Sequence, residues 1–214
     1  MPSNENKKTQ IKSRQRVAQH GEVFTNPREV NAMLELVRDE SYRLDSRFLE
    51  PACGDGNFLI EILHRKLSLL KDIKSPTEWE FQSLIAVGSC YGIELLEDNA
   101  EACRERLFAE IMVRIGKKGC TGGYEESLRY LLKKNIVCGD ALTYRTADGK
   151  PITFSEWTPI AGSMQFSRRD FQFDFLVNQT HQYSLFDEQG EAQIFDEPIK
   201  SYPPIHYTQL YTQE

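Results

Sequence analysis

Long apolar runs are missing from this chain. No stretch approaches the roughly 18–20 consecutive apolar residues that a membrane span needs. The segment from Met1 to Arg16 is polar and basic with no apolar centre, which excludes a secretory signal there. A cytoplasmic location is the expectation. Cysteine is sparse and unpatterned: the 5 residues Cys53, Cys90, Cys103, Cys120 and Cys138 contain no C-x-x-C pair. Neither a disulfide framework nor a zinc knuckle fits that spacing. Cys90 and Cys138 stand in apolar stretches and are expected as buried thiols. Positive charge is also lacking. The net charge of -6 argues against this chain gripping nucleic acid by itself, because phosphate neutralisation needs a surplus of Lys and Arg on one face. The local exception is Lys7, Lys8, Lys12, Arg14 and Arg16, which reads as a solvated, flexible basic tail over residues 1–18.

What remains is ordinary for a globular domain, with 40% hydrophobic and 27% charged residues. One domain over residues 19–214 is expected. Asn26-Pro27 has the form of a helix start, followed by Val30, Met33, Leu34 and Val37 at helical spacing. Arg47 to Glu50 reads as a short strand. Gly54 and Gly56 break the chain before a helix that carries Leu59, Ile62, Leu63, Leu67 and Leu70 inward. Thr77-Glu78-Trp79-Glu80 resembles a capping box, so a further helix is expected to about Val87. Cys90 to Leu95 and Ile136 to Cys138 read as further strands, with a long helix from Glu97 to Ile115 and another from Tyr124 to Lys133 between them. Residues 141–170 read as polar and irregular. Phe171 to Val177 reads as a fourth strand, and a short helix is expected after Pro203-Pro204. Strands alternating with helices predict an α/β fold, a Rossmann-like parallel sheet with helices on both faces.

In such sheets ligands bind beyond the carboxyl ends of the strands. Three strand ends carry suggestive groups. Gly54 and Gly56 let the backbone approach a ligand closely. Glu94, at the end of the next strand, can accept hydrogen bonds from ribose hydroxyls, although the helix around Trp79 stretches its separation from the glycines beyond the usual ~20 residues. Asp140 can accept from an adenine amino group, or can simply close a turn. The ordered set of three is more specific than any one member.

Phe48-Leu49-Glu50-Pro51-Ala52-Cys53-Gly54-Asp55-Gly56-Asn57-Phe58-Leu59 resembles the cofactor motif of class I DNA adenine (amino) methyltransferases from restriction–modification systems. Gly21-Glu22-Val23-Phe24-Thr25-Asn26-Pro27 is similar to that family's upstream Phe-Thr-Pro-Pro motif. Tyr91 to Leu95 and Gly139-Asp140-Ala141-Leu142 match its next two motifs in order. The resemblance implies S-adenosylmethionine as cofactor. It places Phe24 and Thr25 at the methionine end, has Glu50, Gly54, Asp55 and Gly56 shape the loop of the pocket, and packs Phe58 beside it. Glu94 would hold the ribose and Asp140 the adenine amine.

One motif departs from the family. Enzymes of this kind carry Asn or Asp, then Pro-Pro-aromatic, at the end of the fourth strand. The polar group and a backbone carbonyl accept from the target amine while the ring stacks on the flipped base. Here Asn178 stands in the matching place, as the candidate catalytic residue, but Gln179-Thr180-His181 follows it, with Tyr183 a little further on. The family's sheet has seven strands, of which four can be counted. The expectation is therefore a methyltransferase fold represented by its cofactor-binding part, with an altered acceptor motif and no transfer by this chain alone. The other reading is a non-catalytic, methyltransferase-like module that binds cofactor or a partner. DNA is the expected partner once a recognition region is supplied, and an open sheet edge predicts self-association or a second chain.

Overall fold

The computed structural model describes residues 12–20, 22–116, 119–179 and 198–213. It opens with helix α1 (Arg14–His20), so the expected tail boundary at residue 18 falls inside a helix. Lys7 and Lys8 lie outside the described residues. Helix α2 (Pro27–Glu35) starts as its cap dictates: the Asn26 side chain accepts from the Arg28 N–H, and Pro27 occupies the first turn. Val30 and Leu34, one turn apart, are its buried face. A single turn, α3 (Arg38–Ser41), leads to strand β1 (Phe48–Glu50).

Helix α4 (Asn57–Ser68) follows the Gly-rich turn. It buries Leu59, Ile62, Leu63 and Leu67, the face expected from the i, i+3, i+4 spacing. Helix α5 (Pro76–Gly88) begins earlier than its expected Thr77 cap. Ser75 is the capping residue, accepting from the Glu78 N–H, because Ser75-Pro76-Thr77-Glu78 contains both the capping pattern and a proline that fits the first turn. Glu80, expected to close the box, is instead buried. It accepts from the Thr121 N–H at 2.8 Å and the Tyr207 hydroxyl at 2.7 Å.

Strand β2 (Cys90–Glu94), helix α6 (Glu97–Ile115), helix α7 (Tyr124–Asn135) and strand β3 (Ile136–Cys138) complete a three-stranded parallel sheet of order β1-β2-β3. Phe48 pairs with Cys90 and Gly92 with Ile136. Alternation along the strands divides the interior. Cys90 and Ile136 join a core built largely from α2 and α4–α7, whereas Tyr91, Ile93 and Val137 point to the opposite face.

That opposite face differs from expectation. Among the described residues it is covered by Ile152, Phe154, Phe173 and Val177, not by a layer of long helices. The supposedly irregular stretch forms a hairpin, β4 (Thr153–Pro159) with β5 (Gln165–Gln172), joined antiparallel by β6 (Lys200–His206). Phe171 to Val177 does not form the expected fourth parallel strand. Phe171 and Gln172 end β5, and Phe173–Gln179 is helix α8. A short apolar run such as Phe-Asp-Phe-Leu-Val serves a strand or a helix equally well. Hydrophobic alternation does not mark this hairpin, because its inward positions are partly charged. Arg168 and Asp170 are buried on β5 and satisfy each other, Arg168 Nη2 lying 2.7 Å from Asp170 Oδ2. Pro203-Pro204 lies within β6, followed by a 3-10 helix, Tyr207–Thr212. No helix among the described residues is long and apolar enough to cross a membrane.

Candidate cofactor-binding site

The carboxyl ends of β1, β2 and β3 open onto a cavity of about 420 Å³, within the range of small-molecule sites. Its wall includes Gly54 from the turn after β1, Glu94 from the end of β2 and Asp140 just past β3. Phe24, Thr25 and Phe58 also line it. Six of the residues singled out from the sequence therefore share one space.

The turn is built by contacts that leave little freedom. Gly54 has φ of +54°, and its N–H donates to Glu94 Oε2 at 2.9 Å. A β-carbon there would sit 3.0 Å from the Phe24 ring. Glu94 is buried and accepts two further hydrogen bonds at Oε1, from the Leu96 N–H at 3.0 Å and the Asn99 amide at 3.4 Å. A carboxylate has about four acceptor positions, so one remains for a ligand hydroxyl. Asp140 Oδ1 accepts from the Leu142 N–H at 2.8 Å, so this residue does close a turn, and it does so on the cavity wall.

Glu50, Asp55 and Gly56 do not line the cavity. Glu50 Oε1 accepts from the Ala52 N–H at 3.3 Å and bridges the turn, and burial raises its carboxyl above the ordinary carboxylate range. Asp55 turns away to Arg106 on α6, at 2.7 Å. Arg106 also reaches Asn57 Oδ1, and Asn57 Nδ2 donates to the Thr25 carbonyl at 3.1 Å. The loop is thus tied to both α6 and the segment before α2. Gly56 has φ of +91°, and a β-carbon would lie 2.7 Å from Cys103 Sγ. Its glycine is demanded by the packing of the α4 start against α6. Cys53, on the wall, is buried. The neighbouring Cys103 thiol and burial raise the Cys53 thiol above its ordinary range.

Asn178 lies in the last turn of α8 and not at the end of a parallel strand. Its side chain lies outside the described residues, as do Thr180, His181 and Tyr183. Cys90 is buried as expected, whereas Cys138 is partly exposed.

Other wall residues were not singled out from the sequence. Leu95 and Leu142 are exposed, at 54% and 89%, on the cavity rim. Each follows an acidic strand-end residue closely in sequence, and that adjacency is a readable signal. Glu22 and Asn99 also line the cavity, and Asn99 Nδ2 bridges the two acids, lying 3.1 Å from Glu22 Oε2. Arg16 on α1 meets Glu22 Oε2 at 2.6 Å and Asp98 Oδ2 at 2.9 Å, and Lys12 meets Asp98 at 3.2 Å. These cations hold the Asp98 carboxyl down to about 2, Arg16 contributing most.

The family model described as MmeI, DNA-methyltransferase domain, matches residues 25–163. That span runs from Thr25 through β4 and contains Gly54, Glu94 and Asp140. Comparison with curated proteins and with solved structures finds no match.

Proposed function

The chain belongs to the MmeI DNA-methyltransferase domain family, and from that premise we propose that it binds S-adenosylmethionine in the cavity at the ends of β1, β2 and β3. On this reading the parallel sheet is the Rossmann-like sheet of a class I methyltransferase. The observation that carries the proposal is the meeting of Gly54, Glu94 and Asp140 on one wall. The one unfilled acceptor position of Glu94 takes a ribose hydroxyl, and the Asp140 carboxylate takes the adenine amine. Leu95 and Leu142 supply apolar surface for the adenine ring. Phe24 and Thr25 face the methionine end, and Phe58 packs beside it. Glu50, Asp55 and Gly56 set the loop without touching the cofactor.

The acceptor in this reading is the exocyclic amine of adenine in DNA, methylated as part of a restriction–modification system in the cytoplasm. Transfer needs the amine held so that its lone pair meets the methyl group, and misplacement by about 1 Å costs on the order of 100-fold. Residues 173–179 form a helix and carry no Pro-Pro-aromatic sequence, so Asn178 has no fixed neighbouring carbonyl of the family's kind. This chain alone therefore transfers no methyl group. The β1 edge opposite β2 pairs with no strand among the described residues. A second chain or a second copy covering that edge completes the sheet, and a recognition region brings the DNA.

The test is transfer of labelled methyl from S-adenosylmethionine to mixed-sequence DNA by the purified chain. Incorporation at background supports the reading. Incorporation that disappears in Asn178→Ala overturns the claim that the altered motif is inert.

A further inference from the structure

Glu22 sits in the motif before α2, and the proposed function leaves it without a task. Its side chain is 6% exposed and belongs to the cavity wall. Among the described residues, the donors that reach it, Arg16 Nε and Asn99 Nδ2, converge on Oε2. Oε1 is buried and has no hydrogen-bond partner among the described residues. A buried carboxylate oxygen left without a donor is costly, and native structures rarely tolerate one without a reason. The adjacent cavity is the place from which a donor can come.

Two features select the kind of donor. First, the charge of Glu22 is already balanced by Arg16, so the vacancy calls for a neutral hydrogen-bond donor and not for a cation. Second, Asn99 Nδ2 lies within hydrogen-bonding distance of both Glu22 Oε2 and Glu94 Oε1. The two carboxylates therefore flank one amide nitrogen on the same cavity wall.

We propose that Glu22 is a second ribose-binding carboxylate, accepting a hydrogen bond from one hydroxyl of the nucleoside cis-diol while Glu94 accepts from the other. This rests on the reading of the cavity as a nucleoside cofactor site. Arg16 is the positioning residue: it fixes the Glu22 carboxylate and ties it, through Asp98, to the start of α6.

The experiment measures affinity for S-adenosylhomocysteine and for its 2′-deoxy and 3′-deoxy counterparts, in the full chain and in Glu22→Ala. A charge-assisted hydrogen bond corresponds to roughly tenfold or more in affinity. Glu22→Ala is expected to weaken S-adenosylhomocysteine about tenfold, and to weaken one deoxy counterpart hardly at all, since its hydroxyl is already gone. A merely structural role lowers all three affinities by the same factor, and that outcome overturns the proposal. Glu22→Gln keeps the side-chain shape and one carbonyl oxygen. It is expected to melt like the parent and lose less affinity than the alanine variant, which covers the case in which Glu22→Ala misfolds. Equal affinity of parent and Glu22→Gln for every ligand, with Glu22→Ala unfolded, also counts against it. If the parent binds S-adenosylhomocysteine, the cavity reading stands whatever Glu22 does. If the parent binds none, both fall together.

Discussion

Gly54 and Gly56 occupy the same turn but do different work, and substituting each with alanine separates the two roles. At Gly56 the backbone has φ of +91°, where an L-residue is strained by roughly 1–2 kcal/mol. The new β-carbon would also lie 2.7 Å from Cys103 Sγ, inside any tolerable contact. Cys103 is fully buried, so it cannot swing into solvent, and overpacking of this kind costs typically 1–3 kcal/mol. Gly56→Ala should therefore destabilise the fold by roughly 2–5 kcal/mol, or on the order of 4–20 °C in melting temperature at this chain length. Because Gly56 does not line the cavity, the folded fraction should bind ligand with little change. Gly54→Ala reverses the pattern. Its β-carbon meets the end of the Phe24 ring at 3.0 Å and disturbs an N–H that holds Glu94, so affinity falls more than stability. The assay is thermal melting beside titration calorimetry with S-adenosylhomocysteine. A double-mutant cycle with Cys103→Ala should recover the packing share of the Gly56→Ala loss and leave the backbone share. Gly56→Ala melting with the parent, or a cycle with no coupling to Cys103, would refute this account of the turn.

Further outcomes follow from the second sheet and the rim. Asp170→Asn removes the charge that balances buried Arg168 and should destabilise by roughly 3–5 kcal/mol, read by chemical denaturation; a loss below about 1 kcal/mol would show that the pair is not buried as described. Leu142→Ala should lower cofactor affinity with no change in melting temperature, since an 89% exposed side chain supports no core; unchanged affinity removes it from the adenine site. Asp98 is held down to about 2, below its unfolded value, so the support it lends to α1 is present above about pH 4 and lost as pH falls through 2. Hydrogen exchange in α1 should then rise in that window and also with added salt, because Asp98 is largely exposed; exchange independent of both would mean that α1 is held by something else.

The parallel half of the fold was legible in the sequence for identifiable reasons. Asn26-Pro27 is a cap and a first-turn proline, and Leu59, Ile62, Leu63 and Leu67 keep a strict helical spacing. Cys90 to Glu94 is fully buried and reads as one short apolar run. The antiparallel half was hidden because Arg168 and Asp170 occupy inward positions on β5, where hydrophobic alternation would have marked a strand. Helix α8 carries an apolar run that fits either period. At the site, Gly54, Glu94 and Asp140 could be placed because strand ends converge in a parallel sheet. Gly56 and Asp55 could not be told apart from ligand contacts, since only tertiary packing shows that one faces Cys103 and the other Arg106. Glu22 lies far from Glu94 in sequence, and only the fold, through Asn99, brings the two together.

The central claim is that this cavity holds S-adenosylmethionine with Glu94 on the ribose. The most direct test is titration calorimetry of the full chain with S-adenosylhomocysteine, in the parent and in Glu94→Ala. The account predicts saturable binding at one site per chain, weakened roughly 10- to 150-fold by the substitution, as expected for loss of a charged acceptor. Absence of binding by the parent, or equal affinity in a folded Glu94→Ala, would contradict it.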